Sequence, residues 1–280
     1  MNLLAKWLVL GGYLLLTACQ PVVSQSLTWQ TQDNQHYSLS WNNLALTVDA
    51  HAGGRIISLR VQDEELLTDT AVHPIYYGST LWLSPQHRWW PPPPAVDTAP
   101  YQVQSTANPL VLVSRSDPQL GLLIEKNFFA DPTDSSLRIT YSVVNQADTA
   151  QSVALWEVTR LRKDADVTFA LDSATSRNQP FRKNGAWSVE AGRFHLRVAA
   201  EDTIVDKASY NARGWVQYTR GNRQLLKRFS NLGLVELPPR QNEVEVYIDD
   251  SAYVEVEQHS AYQRLAPRDT LRWTVYWYPR

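Results

Sequence analysis

The chain holds a single cysteine among 280 residues, so no disulfide can form within it. A chain this long buries most of its surface on folding and needs no covalent staple. Other absences are as informative. There is no phosphate-cradling GxxxxGK[ST], no GxGxxG, no GxSxG elbow and no SxxK. The six histidines, at 36, 51, 73, 87, 195 and 259, form no HxH or HxxxH pair, so no local metal site is expected. No cofactor is expected either. The 26 basic and 28 acidic residues are spread along the chain for a net charge of −2, with no basic block. That excludes nucleic acid as an expected partner. No stretch carries the three-turn apolar periodicity of an amphipathic helix.

What is present in excess is tryptophan, eleven residues in all. Trp offers a flat apolar face and a polar N–H, which suits both cores and ligand surfaces. The N-terminus is distinctive too. Lys6 precedes an apolar stretch from Trp7 to Leu16. This is too short to span a bilayer, which takes about 20 apolar residues, and fits an export signal. Leu16-Thr17-Ala18-Cys19 resembles the lipobox of bacterial lipoproteins. The resemblance implies cleavage after residue 18 and lipidation of Cys19, which gives the lone cysteine a purpose. The expected organisation is a signal peptide (1–18), a lipidated tether (19–26) and a β domain (27–280). The expected location is the bacterial cell envelope, lipid-anchored. In a Gram-negative cell, Gln20 after the cysteine favours the outer membrane, facing the periplasm.

From Leu27 onward the pattern is β. The runs at 44–49, 54–61, 136–145, 193–200, 243–248 and 252–257 alternate or carry β-branched residues. Turn signals separate them, among them Ala52-Gly53-Gly54, Asp131-Pro132-Thr133-Asp134, Asn184-Gly185 and Pro238-Pro239. Many short strands with regular turns predict an all-β fold, a large antiparallel β-sandwich. Residues 68–101 break the rhythm. Pro91 to Pro94 cannot lie inside a sheet. With Tyr76, Tyr77, Trp82, Trp89 and Trp90 nearby, the segment is too aromatic for disorder. It reads as an ordered loop over one mouth of the sandwich.

Charged residues in three segments look out of place. In the run 153–161, both faces are apolar, which marks a central strand covered on both sides. Glu157 there must be paired, protonated or used. Either it meets an arginine inside the sandwich or it serves a sugar site. Lys126 either snorkels to solvent or reaches a ligand. Tyr253, Glu255 and Glu257 share one strand face, which is either plainly solvated or the lining of a groove. His259 continues that face if the strand does.

Several segments resemble galactose-mutarotase-like domains. Residues 49–67 are similar to their opening hairpin, in which a glycine turn precedes an arginine strand, and 255–277 to their closing strands. Residues 78–93 look like an uncharacterised branch of that superfamily, a domain of unknown function. The resemblance implies a supersandwich with a sugar-binding groove. The Asn-His-x-Tyr-Phe stretch of active epimerases has no counterpart, so their histidine is not carried over. Arg55 matches the arginine after the glycine turn, and Glu157 and Glu257 are the candidate catalytic carboxylates. Trp82, Trp89 and Trp90 are the expected platform for a sugar, with Arg55, Gln86, Lys126 and Glu157 as donors and acceptors. Three functions stand open: carbohydrate binding without turnover, an epimerase or lyase-like enzyme on carbohydrate, and a structural envelope lipoprotein with a protein partner.

Overall fold

The computed structural model describes residues 27–172, 178–182, 186–250 and 253–280. The signal, Cys19, the tether and the Asn184-Gly185 turn lie outside the described residues. The first strands are β1 (His36–Trp41), β2 (Leu44–Asp49), β3 (Arg55–Val61), β4 (Glu64–Glu65) and β5 (Ser79–Ser84). Two four-residue helices follow, α1 (Gln86–Trp89) and α2 (Pro94–Asp97). Then come β6 (Gln102–Ser105), β7 (Leu110–Val113), β8 (Leu122–Asp131), β9 (Ser136–Asn145), β10 (Gln151–Arg162), β11 (Ala165–Ala170), β12 (Trp187–Glu190) and β13 (Arg193–Val198). The chain closes with β14 (Asp206–Tyr210), β15 (Trp215–Arg220), β16 (Arg223–Arg228), β17 (Val244–Ile248), β18 (Tyr253–His259), β19 (Gln263–Leu265) and β20 (Thr270–Pro279).

These strands form two ten-stranded antiparallel sheets. One runs β1-β2-β3-β5-β10-β18-β17-β14, with β4 and β19 attached at β3 and β10. The other runs β12-β13-β11-β15-β16-β20-β9-β8-β7-β6. The expected sandwich is therefore the observed architecture. Strand alternation turns one face of each sheet inward, and one continuous apolar core reaches from Trp29 to Trp277 between them.

The segment 68–101 is not one irregular excursion. It contains β5, fully buried and hydrogen-bonded to β10, with Leu81 and Leu83 on one face, Trp82 on the other, and the hydroxyls of Ser79, Thr80 and Ser84 hydrogen-bonded. The four prolines stay out of the sheet, as their missing N–H requires. Pro94 opens α2, where a missing amide hydrogen costs nothing.

The glycine turn before β3 has a steric cause. Gly53 has φ +68°, and a Cβ there would lie 2.3 Å from the Asp97 carbonyl oxygen. Only glycine lets the turn approach α2 so closely. That approach brings Asp97 to Arg55, whose Nη2 donates to Asp97 Oδ1 at 3.0 Å.

Candidate functional site

The register of five neighbouring strands builds the site. Trp82 of β5 lies opposite Trp156 of β10, which lies opposite His259 of β18. One step along, Val158 faces Glu257, and Glu257 faces Glu245 of β17. Next, Arg160 faces Glu255, Glu255 faces Tyr247, and Tyr247 faces Lys207 of β14. All these side chains share the parity opposite to that of Glu157, so they stand on the sheet face turned away from the core. A separate apolar cluster of Trp82, Trp156 and Val158, packed against Tyr76, sits there.

This face carries a cavity of about 360 Å³, within the range of small-molecule sites. Its walls are aromatic. Trp82 packs edge-on to Trp156 and to Trp90, each with ring centroids 5.2 Å apart, and Tyr76 and Tyr253 line it as well. Trp156 stacks on His259 at 5.4 Å, which puts the imidazole behind the tryptophan and out of the cavity. Its polar lining includes His73, Gln86, Lys207, Asp249, Glu255 and Glu257. His73 Nδ1 accepts the backbone N–H groups of Ile75 and Tyr76 at 3.1 and 2.8 Å, which puts the ring proton on Nε2.

Beneath the aromatic wall lies Arg160, fully buried on this face. Its Nε donates to Glu255 Oε1 at 2.8 Å, and its guanidinium sits 4.9 Å from the Trp82 ring centre and 5.2 Å from that of Tyr76. A guanidinium removed from water is stabilised by that carboxylate and those ring faces.

The electrostatic centre is a triad. The Lys207 ammonium lies 2.6 Å from Glu245 and 3.1 Å from Glu257. Burial alone would lower the Lys207 pKa, but Glu257 and Glu245 raise it above its ordinary value. Burial opposes ionisation of Glu245, yet Lys207 outweighs it and holds this carboxyl well below the usual range. Burial dominates at Glu257; with the negative charges of Glu245 and Glu255 it pushes this carboxyl up to about 8 against the pull of Lys207. Glu257 Oε2 accepts from Trp156 Nε1 at 2.8 Å and from Lys207 at 3.1 Å, while Oε1 has no partner. Glu257 thus lines the cavity with a carboxyl of raised pKa whose Oε1 is buried and unpartnered.

That raised pKa has a measurable consequence. The pKa of Glu257 is about 8 in the folded chain against a reference of 4.5. Between these values the unfolded chain releases the proton and the folded chain keeps it, so this group's stabilising contribution falls as pH rises. Glu257→Gln is expected to remove a slope on the order of 1 kcal/mol per pH unit between about pH 5 and 8. Urea unfolding of both proteins at several pH values measures it. Parallel stability curves would mean that Glu257 is ionised throughout.

Of the residues singled out from the sequence, Trp82, Gln86, Trp90, Tyr253, Glu255 and Glu257 come together in this cavity. Arg55, Trp89, Lys126 and Glu157 do not. Arg55 is buried under α2, bonded to Asp97 and to the Ile75 carbonyl at 2.7 Å. It organises the glycine turn rather than offering a donor to a ligand. Trp89 belongs to the core between the sheets. Lys126 does not snorkel: it is buried and donates to the Gly53 carbonyl at 2.6 Å. Burial pushes its pKa down to about 7, although Asp97 pulls the other way. Glu157 faces the opposite sheet and pairs with a lysine, not an arginine. It accepts from Lys227 at 2.7 Å, Tyr141 at 2.6 Å and Trp277 at 3.1 Å, and from Gln258.

Sequence reasoning missed Lys207, Glu245, Tyr247 and Asp249. The repeated alternation EVEVYI and YVEVE, read as one hairpin, could have revealed Glu245 and Tyr247. Nothing around Lys207 could have.

The fold and the site can now be compared with known proteins. A family model described as a domain of unknown function, DUF4380, matches residues 85–278. The chain belongs to that family. Its fold is galactose-mutarotase-like. A galactose mutarotase-like protein from Clostridium acetobutylicum matches with a TM-score of 0.59 at 10% identity, over 91% of this chain and 98% of that one. A galactose mutarotase related enzyme from Lactobacillus acidophilus gives 0.62 at 12% identity, over 88% and 97%. A galactose mutarotase-like protein from Lactobacillus casei gives 0.59 at 9% identity, over 88% and 100%. No curated protein sequence matches this DUF4380 chain. Among its described residues, no helix is long and apolar enough to cross a membrane.

Proposed function

We propose that this DUF4380 chain is a bacterial envelope lipoprotein, anchored through Cys19, whose outer-face cavity binds carbohydrate. One observation carries the binding reading: an aromatic wall of Trp82, Trp90 and Trp156 stands over a buried carboxyl with one unpartnered oxygen, Glu257 Oε1. Sugars present apolar C–H faces and polar rims, and this combination meets both. Aromatic residues gathered inside a cavity favour a sugar over a protein partner, which would be served by a convex patch. The mutarotase-like naming of the structural neighbours supports the same substrate class.

The test is a glycan-array screen of the full chain, with affinities of the hits measured by titration. Trp82→Ala is expected to weaken the best glycan by about 2 kcal/mol, roughly 30-fold. An array with no specific hit would end the carbohydrate reading. Anchoring is tested by labelling cells with radioactive palmitate. The chain is expected to take up label and Cys19→Ala to take up none; equal labelling of both would remove the anchor.

A second reading, an epimerase or lyase-like enzyme, is favoured by the raised pKa of Glu257 at the cavity wall. A carboxyl kept protonated near neutral pH can act as a general acid toward a sugar oxygen. Assay of the array hits for anomer interconversion or cleavage separates the two readings: turnover that Glu257→Gln loses favours the enzyme, and a sugar bound without turnover favours the binding module.

A further inference from the structure

The aromatic cavity has a neighbour. A second cavity of about 740 Å³ adjoins it, and Gln86 and Lys207 line both. The Lys207 triad forms the ridge between them, with Glu257 lining the aromatic lobe and Glu245 the second. The two lobes differ in chemistry. The second has no tryptophan in its lining and carries Arg182, Arg240, Gln179, Ser209 and Gln241.

Gln241 gives this lobe a built floor. It is 6% exposed. Its Oε1 accepts the backbone N–H of Gln86 at 2.9 Å and the Ser84 hydroxyl at 2.6 Å. A backbone N–H can only donate, so the orientation of the amide is fixed. Its Nε2 is left buried without a partner on a residue that lines the lobe. An unsatisfied buried donor destabilises the empty lobe, and a ligand oxygen would relieve it. Ser84 ends β5, the strand that carries Trp82, so the same contact ties the two lobes together.

The charges specify the oxygen. Glu245 is already taken by Lys207, and Asp206 accepts the backbone N–H groups of Arg182 and Lys207. Arg182 and Arg240 are exposed and form no ion pair among the described residues. Two guanidinium groups and an amide N–H favour a carboxylate, which guanidinium binds in paired hydrogen bonds.

We propose that the ligand is an acidic oligosaccharide that straddles Lys207, with one unit against the tryptophans and a hexuronate unit in the polar lobe. This rests on the carbohydrate reading of the aromatic cavity. The experiment is calorimetric titration of the full chain with a library of disaccharides, their hexuronate-terminated counterparts and the component monosaccharides. The wild type is run beside Arg182→Gln/Arg240→Gln. Hexuronate disaccharides are expected to bind about tenfold or more tighter than neutral ones or monosaccharides. The double variant is expected to erase that ratio. Equal affinity for monosaccharides and disaccharides would overturn the second lobe while leaving the carbohydrate reading intact. So would a uronate preference that survives in the double variant. Absence of binding across the whole library would overturn the carbohydrate reading itself.

Discussion

Lys227→Met is expected to lower stability by about 3–5 kcal/mol, the usual cost of breaking a buried ion pair from one side. Lys227 lies on β16 of one sheet and Glu157 on β10 of the other, 2.7 Å apart and both essentially unexposed. Burial lowers the Lys227 pKa, and Glu157 opposes that shift. Lys227 also donates to Thr159. Methionine keeps the stem and its packing but leaves the Glu157 carboxylate without its counter-charge. Tyr141, Trp277 and Gln258 still donate to it, which holds the loss toward the lower end of that range. The double change Lys227→Met/Glu157→Gln should recover part of the loss, because it removes the uncompensated buried charge and keeps an amide oxygen to accept from those donors. Urea denaturation followed by tryptophan fluorescence measures both. A single variant that costs less than about 1 kcal/mol would mean that the carboxylate reaches water.

Trp89→Ala is expected to cost a similar amount, about 3–5 kcal/mol, as large aromatic truncations in cores do. Trp89 is 5% exposed and packs into the core between the sheets, with the Arg88 guanidinium 4.6 Å from its ring centre. Its sequence neighbour is a sharp contrast. Trp90 is 44% exposed and meets Trp82 edge-on at the cavity. Trp90→Ala should therefore leave the melting temperature within a few degrees of wild type and act on ligand affinity. Thermal melts of the two variants, run together, distinguish the roles. Equal and small shifts in both would remove Trp89 from the core. The short helix α1 makes the difference: it ends at Trp89, so adjacent side chains leave the backbone in unlike directions.

Several strands were legible from alternation. The runs 44–49 and 136–145 coincide with β2 and β9, and 54–61 contains β3. Period-2 patterning is a local property of a half-buried strand, so it survives without tertiary information. β5 escaped because a strand buried on both faces has no alternation, and the flanking prolines looked like a loop. Glu257 could be selected for its place on a polar strand face. Its partner Lys207 lies fifty residues earlier in the chain and meets it at 3.1 Å only because β14, β17 and β18 are neighbours. Charged residues in apolar runs were correctly singled out as unusual. Which way Glu157 turns was not readable, since both faces of β10 are buried.

The sequence by itself determined the class of fold, the positions of strands such as β2, β3 and β9, the glycine turn before Arg55 and the abundance of tryptophan available for a surface. These follow from local sterics and from the periodicity of apolar side chains. Only the tertiary structure decided which tryptophans face a cavity, which carboxylates meet which cations, and that Arg55, Lys126 and Glu157 turn away from the cavity while Glu257 turns toward it. Those outcomes depend on strand order and on the packing of one sheet against the other. Both are set by contacts between residues far apart in the chain, which no local pattern encodes.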